Sequence, residues 1–320
     1  MNNFVSVIIV NYDNREDIPP ALTSIRENNS DLPYEVIIVD NNSQDGSAEY
    51  IKEYFPTVTL IENKENLGFG RANNQAAKVA RGDYLLFVNP DTRFVSGKLM
   101  DAMDFMDVRP RVGFLGPRTV WPGGEGQISA AEFLGLGAAF GHHLHLNAFF
   151  PPRLKKLLVP FGKFLGKSAR SHLFIYRDIQ EPQKVDWLGG AFLMVRRKTF
   201  ENLGGFDEDY FLYFEDQDLA LRGGKLGWES YYFPGFVVEH SVGGSAKKNP
   251  RVLVEKYRSE LLFCIKHYQW WSLLILRLIM GIDFSFRWMF TASKEQKAAC
   301  GKMLRYVVSP KSYIVRTRTV

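Results

Sequence analysis

Four apolar runs of strand length punctuate the first ninety residues: Val5–Val10, Glu35–Asp40, Val58–Ile61 and Tyr84–Val88. The first is nearly all β-branched. The first two read as buried strands, and the other two as further strands of the same sheet. Between them lie three helical stretches. The first runs from Asp17 to about Asn28 with Pro19 and Pro20 in its first turn; the second is capped by Ser47, with Ile51, Tyr54 and Phe55 on one face; the third runs from Gly70 to Ala80 and is ended by Gly82. Strand and helix alternating in this way predict a parallel sheet with helices on its faces. Asp40 and Asp91 stand just past the carboxyl ends of two of the strands. In an open parallel sheet those ends share one edge, so the two acids should border one cleft. Pro90 stops the fourth strand, and Asn89-Pro90-Asp91 is by itself also ordinary turn chemistry.

After Pro110 the alternation loosens. Val112–Leu115 reads as a short strand, 117–127 as a Gly- and Pro-rich loop, and 128–180 as an irregular stretch with phenylalanines among basic residues. His142, His143 and His145 fall there without acidic or Cys partners and read as surface or interface histidines. Order returns at Val185–Val195, where Gly189 and Gly190 precede an apolar strand and permit close approach of a backbone or ligand. A short helix over Lys198–Leu203 follows. The aromatic run Phe211–Phe214 then leads straight into Glu215-Asp216-Gln217-Asp218. Acids favoured by a helix N-terminus are one reading, which suits Asp218 best. Cleft-facing acids whose pKa burial raises for base work are the other, which suits Glu215 and Asp216. Tyr231–Val238 is strand-like and ends in Glu239-His240; a histidine there is either a metal ligand as neutral imidazole or a satisfied polar residue.

Beyond Pro250 the chain turns helical and basic. Val252–His267 reads as one amphipathic helix. Trp270–Met280 is strongly apolar over about half the length needed to span a membrane, and Arg277, Asp283 and Arg287 interrupt it or follow it. An interfacial helix with Trp270, Trp271 and Trp288 at headgroup depth is the expectation, and a core helix the alternative. The formal net charge of +5 conceals an asymmetry: residues 151–180 carry seven Lys/Arg and one acid, and residues 241–320 carry fifteen and four. The remainder is acidic. The two basic stretches are interleaved with aromatic and aliphatic residues, which predicts an anionic membrane surface as partner and no nucleic acid. Two cysteines without metal spacing suggest a reducing compartment, and the start of the chain shows no basic leader. The expected location is therefore cytoplasmic, peripheral at the inner face of the plasma membrane. Gly68-Phe69-Gly70-Arg71-Ala72-Asn73 half-matches a dinucleotide fingerprint but lacks its last glycine and follows the third strand, so it reads as phosphate-adjacent only.

Taken together and in order, six motifs have a family likeness: Val5–Val10, Val39-Asp40-Asn41-Asn42-Ser43, Asn66-Leu67-Gly68-Phe69 with Asn73-Asn74, Val88-Asn89-Pro90-Asp91-Thr92, Trp187-Leu188-Gly189-Gly190-Ala191 and Phe214-Glu215-Asp216-Gln217-Asp218. The set resembles the family 2 glycosyltransferases of the GT-A fold, within them the rhamnosyltransferase-like branch, over roughly residues 4–245. The resemblance implies an α/β domain over 1–245 with a basic, aromatic insert at about 120–182, and a helical extension over 246–320. It implies that Asn11, Tyr12 and Asp13 surround a nucleotide base, that Asp40 bonds the pyrimidine with Asn42 beside it, and that Gly68 and Asn73 line the donor pocket. Asn89-Pro90-Asp91 stands for the family's Asp-x-Asp, with Asn89 in place of its first acid. Asp91 and His240 then become the metal ligands, Asp216 the catalytic base, and Glu215, Trp187, Gly189 and Gly190 the acceptor side.

The implied chemistry is coherent. A departing nucleoside diphosphate needs its charge neutralised by a hard divalent cation, usually Mg²⁺, with a His ligand leaning toward Mn²⁺. An attacking hydroxyl needs a base on the opposite side of the sugar carbon. The expected reaction is an inverting transfer from a nucleotide sugar, dTDP-L-rhamnose first, to a lipid-linked or growing surface glycan; UDP-galactofuranose and UDP-glucose are alternative donors. A nucleotidyltransferase would want a glycine-rich loop with Lys or Arg after the first strand, and Asn11-Tyr12-Asp13-Asn14 has none. A non-catalytic membrane-bound scaffold would show a damaged site. Asp91, Asp216 and His240 are all in place, and only Asn89 departs from the pattern.

Overall fold

The computed structural model describes residues 4–29, 32–133, 158, 179–241 and 250–309. The histidines at 142, 143 and 145 and most of the 120–182 insert lie outside them. The chain divides into two compact units. The first comprises Met1–Glu132, Arg177–Glu208 and Glu215–Gly243; the second comprises Phe133–Tyr176, Asp209–Phe214 and Gly244–Val320.

The first unit is built on one sheet. Strands β1 (Val5–Asn11), β2 (Tyr34–Asp40), β3 (Thr59–Glu62) and β4 (Tyr84–Val88) alternate with helices α1 (Ile18–Asn28), α2 (Ser47–Tyr54) and α3 (Phe69–Val79). They pair in parallel in the order β3-β2-β1-β4, as the alternation predicts. All seven residues of β1 and all five of β4 are buried. Val5, Val7 and Ile9 meet Ile18, Leu22 and Ile25 of α1 on one face. On the other, Phe87 packs against Phe200 and Phe206 at ring separations of 5.2 and 5.0 Å. Burial on both faces is the reason these strands read as continuous apolar runs.

The second half of the sheet is mixed. β5 (Thr92–Ser96), α4 (Leu99–Asp107), β6 (Val112–Val120), β8 (Gln183–Val185), β10 (Phe192–Arg196), α5 (Arg197–Asn202), α6 (Glu215–Lys225) and β11 (Glu229–His240) complete the unit. The order continues β4-β10-β6-β11-β5, with β8 also on β11; β6 and β11 run parallel and the other new pairs antiparallel. A short pair, β7 (Ala130–Ala131) and β9 (Trp187–Leu188), stands apart.

Three local features differ from expectation. β6 runs five residues past Leu115, straight through Pro117. It can do so because β10 pairs β6 only at Phe114 and Leu115 and leaves Pro117 free on that side, while on the other side Pro117 faces Phe233, where the β11 register breaks before resuming at Val237. Ser47 is the first helical residue of α2, not its cap. Gly46 holds that place at φ +79°, and Asp45 Oδ1 accepts from Ser47 N at 3.0 Å and from the Ser47 hydroxyl. The apolar stretch after Trp270 belongs to a helix of 21 residues, twice the expected length.

The second unit is helical where described. α7 (Pro250–His267), α8 (Trp270–Phe290) and α9 (Lys294–Val308) enclose a core of Val254, Tyr257, Leu261, Met280, Phe284 and Met303. Ser293 caps α9 by accepting from Gln296 N at 3.3 Å. The segment Asp209–Phe214 belongs here too: Lys266 Nζ lies 2.7 Å from Asp209 Oδ2, and Ser259 Oγ donates to Leu212 O at 2.8 Å. Among the described residues no helix is long and apolar enough to cross a membrane.

Candidate active site

Parallel pairing fixes the first part of the site. Asn11 and Asp40 end β1 and β2 directly opposite one another, both buried. Asn11 Nδ2 donates to Asp40 Oδ1 at 2.8 Å and to Ser43 Oγ at 3.0 Å; Ser43 N donates to Asp40 Oδ2 at 2.9 Å. Asp13, at φ +53°, accepts from Gln44 N through Oδ1 at 2.7 Å, so the β1 and β2 loops are laced together. Asn11 Oδ1 is buried without a hydrogen-bond partner. An acceptor left over in this way suits the edge of a base that presents an N–H. Tyr12 is exposed and able to cover a flat ligand; Asn42 is exposed at φ +67°, and its role here is to turn the chain.

The buried neighbour Asn41 carries the connection onward. Its Nδ2 reaches Asn66 Oδ1 and Gly68 O, each at 3.2 Å. Gly68, at φ +84°, begins α3 in a conformation a side chain would resist. Asn73, one turn into α3, donates to Phe69 O at 3.0 Å and keeps a buried, unpartnered Oδ1.

The second part gathers around the end of β4. Asn89 N donates to Ala191 O at 2.9 Å, and Thr92 Oγ1 donates to the same carbonyl at 3.2 Å. Thr92 pairs with His240 across β5 and β11, which brings Asp91 and His240 together: His240 Nε2 lies 3.3 Å from Asp91 Oδ1. The histidine tautomer follows from Gln127. Its Nε2 donates to His240 O at 3.2 Å, so its Oε1 faces His240 Nδ1 at 2.8 Å, and Nδ1 must be the donor. In the neutral ring Nε2 is then an acceptor that faces a carboxylate oxygen and has Asn89 Nδ2 at 3.4 Å. An imidazole nitrogen beside a carboxylate oxygen is a donor set that Mn²⁺ or Mg²⁺ accepts. Among the described residues no cluster of three or more His, Cys, Asp or Glu forms, so protein ligands would supply only part of a cation's shell.

The third part is the turn that precedes β10. Gly190 N donates to Asp216 Oδ2 at 2.9 Å, and Gln217 N donates to Asp216 Oδ1 at 2.7 Å. A Cβ on Gly190 would stand 3.6 Å from Asp216 and from the Phe69 ring, so the acid, the turn and the start of α3 adjoin. Burial pushes the Asp216 pKa up against these stabilising N–H donors. Glu215, buried beside it with Oε2 unpartnered, is raised further by burial and by the charge of Asp216. Asp218 is different: it is buried in an ion pair with Arg222 at 2.6 Å. All three acids lie in the first turn of α6, and only Asp218 is engaged by a cation of its own helix. Tyr213 and Phe214, just before α6, take φ of +67° and +69°. Each costs about 1–3 kcal/mol for a residue with a side chain, a strain that clusters at functional sites. Trp187 pairs with Ala131 and keeps a buried, unpartnered Nε1, and Gly189 N donates to Ser129 O at 2.7 Å.

The structure thus joins the expected residues into one belt, from Asn11 and Asp40 through Gly68 to Gly190 and Asp216, and through Ala191 to Asn89, Asp91 and His240. The sequence reading omitted Ser43, Asn41 and Gln127. The first two lie inside a quoted motif; Gln127 lies in a loop where nothing local marks it.

Comparison with known proteins agrees with this geometry. The model of glycosyl transferase family 2 matches residues 6–204. A Mycobacterium tuberculosis protein named N-acetylglucosaminyl-diphospho-decaprenol L-rhamnosyltransferase is 30% identical over 85% of this chain and 87% of its own length. Rhamnosyltransferase WbbL of Escherichia coli is 28% identical over 74% of this chain and 83% of its own. Among solved structures, the mannosyltransferase PcManGT of Pyrobaculum calidifontis, in complex with GDP-Man and Mn²⁺, aligns at TM-score 0.53 and 17% identity over 98% of this chain and 84% of that one. GalNAc-T7 with UDP, GalNAc and Mn²⁺ aligns at 0.57 and 14%, over 97% and 57%. The chain belongs to glycosyl transferase family 2: it is a glycosyltransferase with the GT-A fold.

Proposed function

We propose that the protein transfers L-rhamnose from dTDP-L-rhamnose, with inversion, to a lipid-linked or growing cell-surface glycan at the inner, anionic face of a membrane. The observation that carries the reaction type is the Gly190–Ala191 turn. Its N–H holds Asp216, and its next carbonyl holds the Asn89–Thr92 turn that presents Asp91. A base and a diphosphate-binding pair are then tied to two adjacent residues, as a single in-line displacement requires. The names of the rhamnosyltransferase relatives support the sugar, and the decaprenol-linked substrate in one of those names supports the acceptor class.

In this reading Asp40, Asn11 and Ser43 bind the pyrimidine, and Gly68 with Asn73 lines the donor pocket. Asp91 and His240 hold a divalent cation, which supplies charge neutralisation at the leaving diphosphate. Asp216 takes the acceptor hydroxyl's proton on Oδ1 or Oδ2. Glu215, Trp187 and Gly189 shape the acceptor side, and a protonated Glu215 leaves Asp216 as the charged acid of the pair. The test is a donor screen. Purified protein receives a panel of nucleotide sugars with Mg²⁺ or Mn²⁺, and free nucleoside diphosphate is measured with and without EDTA. Metal-dependent release from dTDP-rhamnose above all others is expected. Release from a different donor would replace the sugar, and no release from any would overturn the reading.

A further inference from the structure

A helix with apolar residues on two opposite sides belongs inside a protein or at a membrane. α8 is such a helix, and only one of those sides is inside. Leu276, Ile279, Met280 and Phe284 face the core of the helical unit. On the opposite side Trp271, Leu274, Leu278, Ile282, Phe286 and Met289 recur at intervals of three and four and are 44–66% exposed along with Ile275. They make one apolar stripe about 27 Å long. The groove beside it, between α8 and α9, has a volume of about 780 Å³ and a predominantly apolar lining.

The details around the stripe say what covers it. Tryptophan marks both ends of the helix: Trp270 at 74% exposure and Trp271 at one, Trp288 at the other. Indole rings at both ends of an apolar strip suit a headgroup boundary, where one edge of the ring is wet and the other dry. Arg277, the charge that interrupts the strip, is spent on the C-terminal carbonyls of α9, donating to Val307 O at 2.6 Å and Val308 O at 2.8 Å. It does not oblige that side of the helix to stay in water. The remaining charges on α9 are mostly cationic: Lys294, Lys302 and Arg305 are exposed, with Glu295 the one exposed acid of that helix, and Lys297 lies 5.7 Å over the Trp288 ring. Residues 250–309 hold ten Lys/Arg against four acids. An apolar strip rimmed by cations complements an anionic bilayer surface, with the helix lying in the plane and not spanning.

We infer that the exposed face of α8 docks the protein on anionic lipid, with the stripe from Trp271 to Met289 entering the acyl boundary and the lysines of α9 on the headgroups. This deepens the membrane-surface reading given above and names the residues that would carry it. The full chain is tested by co-sedimentation with phosphatidylglycerol-rich vesicles and with pure phosphatidylcholine vesicles, beside a Leu278→Glu/Ile282→Glu double variant and a Lys294→Glu/Lys302→Glu double variant. Nucleoside diphosphate release and sedimentation velocity without lipid are followed in parallel. Wild type should bind the anionic vesicles; the stripe variant should lose about tenfold or more of that binding while keeping donor turnover. The lysine variant should bind anionic vesicles no better than neutral ones. Wild type that turns over donor yet binds no vesicle would overturn the inference while leaving the catalytic proposal intact. So would a stripe variant that binds like wild type, or a stripe-dependent dimer in the absence of lipid.

Discussion

Replacing Asp216 by Asn separates catalysis from stability in this site. A general base contributes about 10²–10⁴ in rate, or roughly 3–5 kcal/mol of barrier. The structural cost is smaller. Asp216 accepts from Gly190 N on one oxygen and from Gln217 N on the other. An asparagine keeps one of these in either orientation and turns its amide against the other donor, for a loss of about 1–3 kcal/mol. Against that, the substitution removes the charge that helps to raise Glu215, which returns part of the loss. Turnover should therefore fall about 10²–10⁴-fold while the melting temperature moves little. The assay is release of nucleoside diphosphate at saturating donor and metal, followed across pH beside differential scanning fluorimetry of the same samples. Because burial raises Asp216, the wild-type rate should climb with pH through a midpoint above the ordinary carboxylate range, since only the ionised acid can take a proton. The variant should lack that limb. Turnover within about tenfold of wild type, with the limb unchanged, would refute the assignment and point to another base.

Three further outcomes follow from the geometry. Gln127→Leu removes the partner of His240 Nδ1, and should raise the Mn²⁺ concentration needed for half-activation about 10–100-fold while sparing the rate at saturating metal, as read by metal titration. Glu215 has a folded pKa above its unfolded one. Its ionisation therefore opposes folding as pH rises through the folded value and costs nothing below the unfolded one. Glu215→Gln should raise the melting temperature at pH near 8 and lose that advantage by pH near 4, measured by scanning fluorimetry at the two pH values. Asp218→Ala removes the buried acid from its ion pair with the half-buried Arg222, which keeps its bonds to Leu203 O and Gly205 O, and should cost about 1–3 kcal/mol in urea unfolding, with donor affinity retained by the molecules that remain folded.

How far the sequence could be read depended on what each residue's structure rests on. β1, β4 and the C-terminal half of β2 are buried on both faces, so burial wrote itself into consecutive apolar residues. Asp40, Asn89 and Asp91 were legible as strand-end residues because a parallel sheet delivers such ends to one edge. Ser47 was misjudged because the capping of α2 is done from Asp45 through a left-handed Gly46, a geometry that spacing does not encode. β6 could not be traced through Pro117, because the proline is tolerated where β10 has stopped pairing and the β11 register is about to shift, and that depends on residues more than 70 positions away. Gln127 was invisible for the same reason: it acts on a ring 113 residues further along. α8 was read short because Arg277 looks like a break. Its guanidinium is instead hydrogen-bonded to two carbonyls at the end of another helix.

The six residues Asp209–Phe214 belong to the helical unit, although Phe206 before them and Glu215 after them belong to the sheet unit. The helices after residue 250 are therefore not an appendage that one cut could remove. Truncation there would take away Lys266 and Ser259, the partners of Asp209 and Leu212, from the stretch that ends in two left-handed aromatic residues immediately ahead of Asp216. A single recombination point cannot exchange the C-terminal helices between relatives without also exchanging, or orphaning, this short internal piece. The 209–214 segment and the helical unit are thus bound to be inherited together, and a chimera intended to borrow a new tail should be built with that tail's own 209–214 segment.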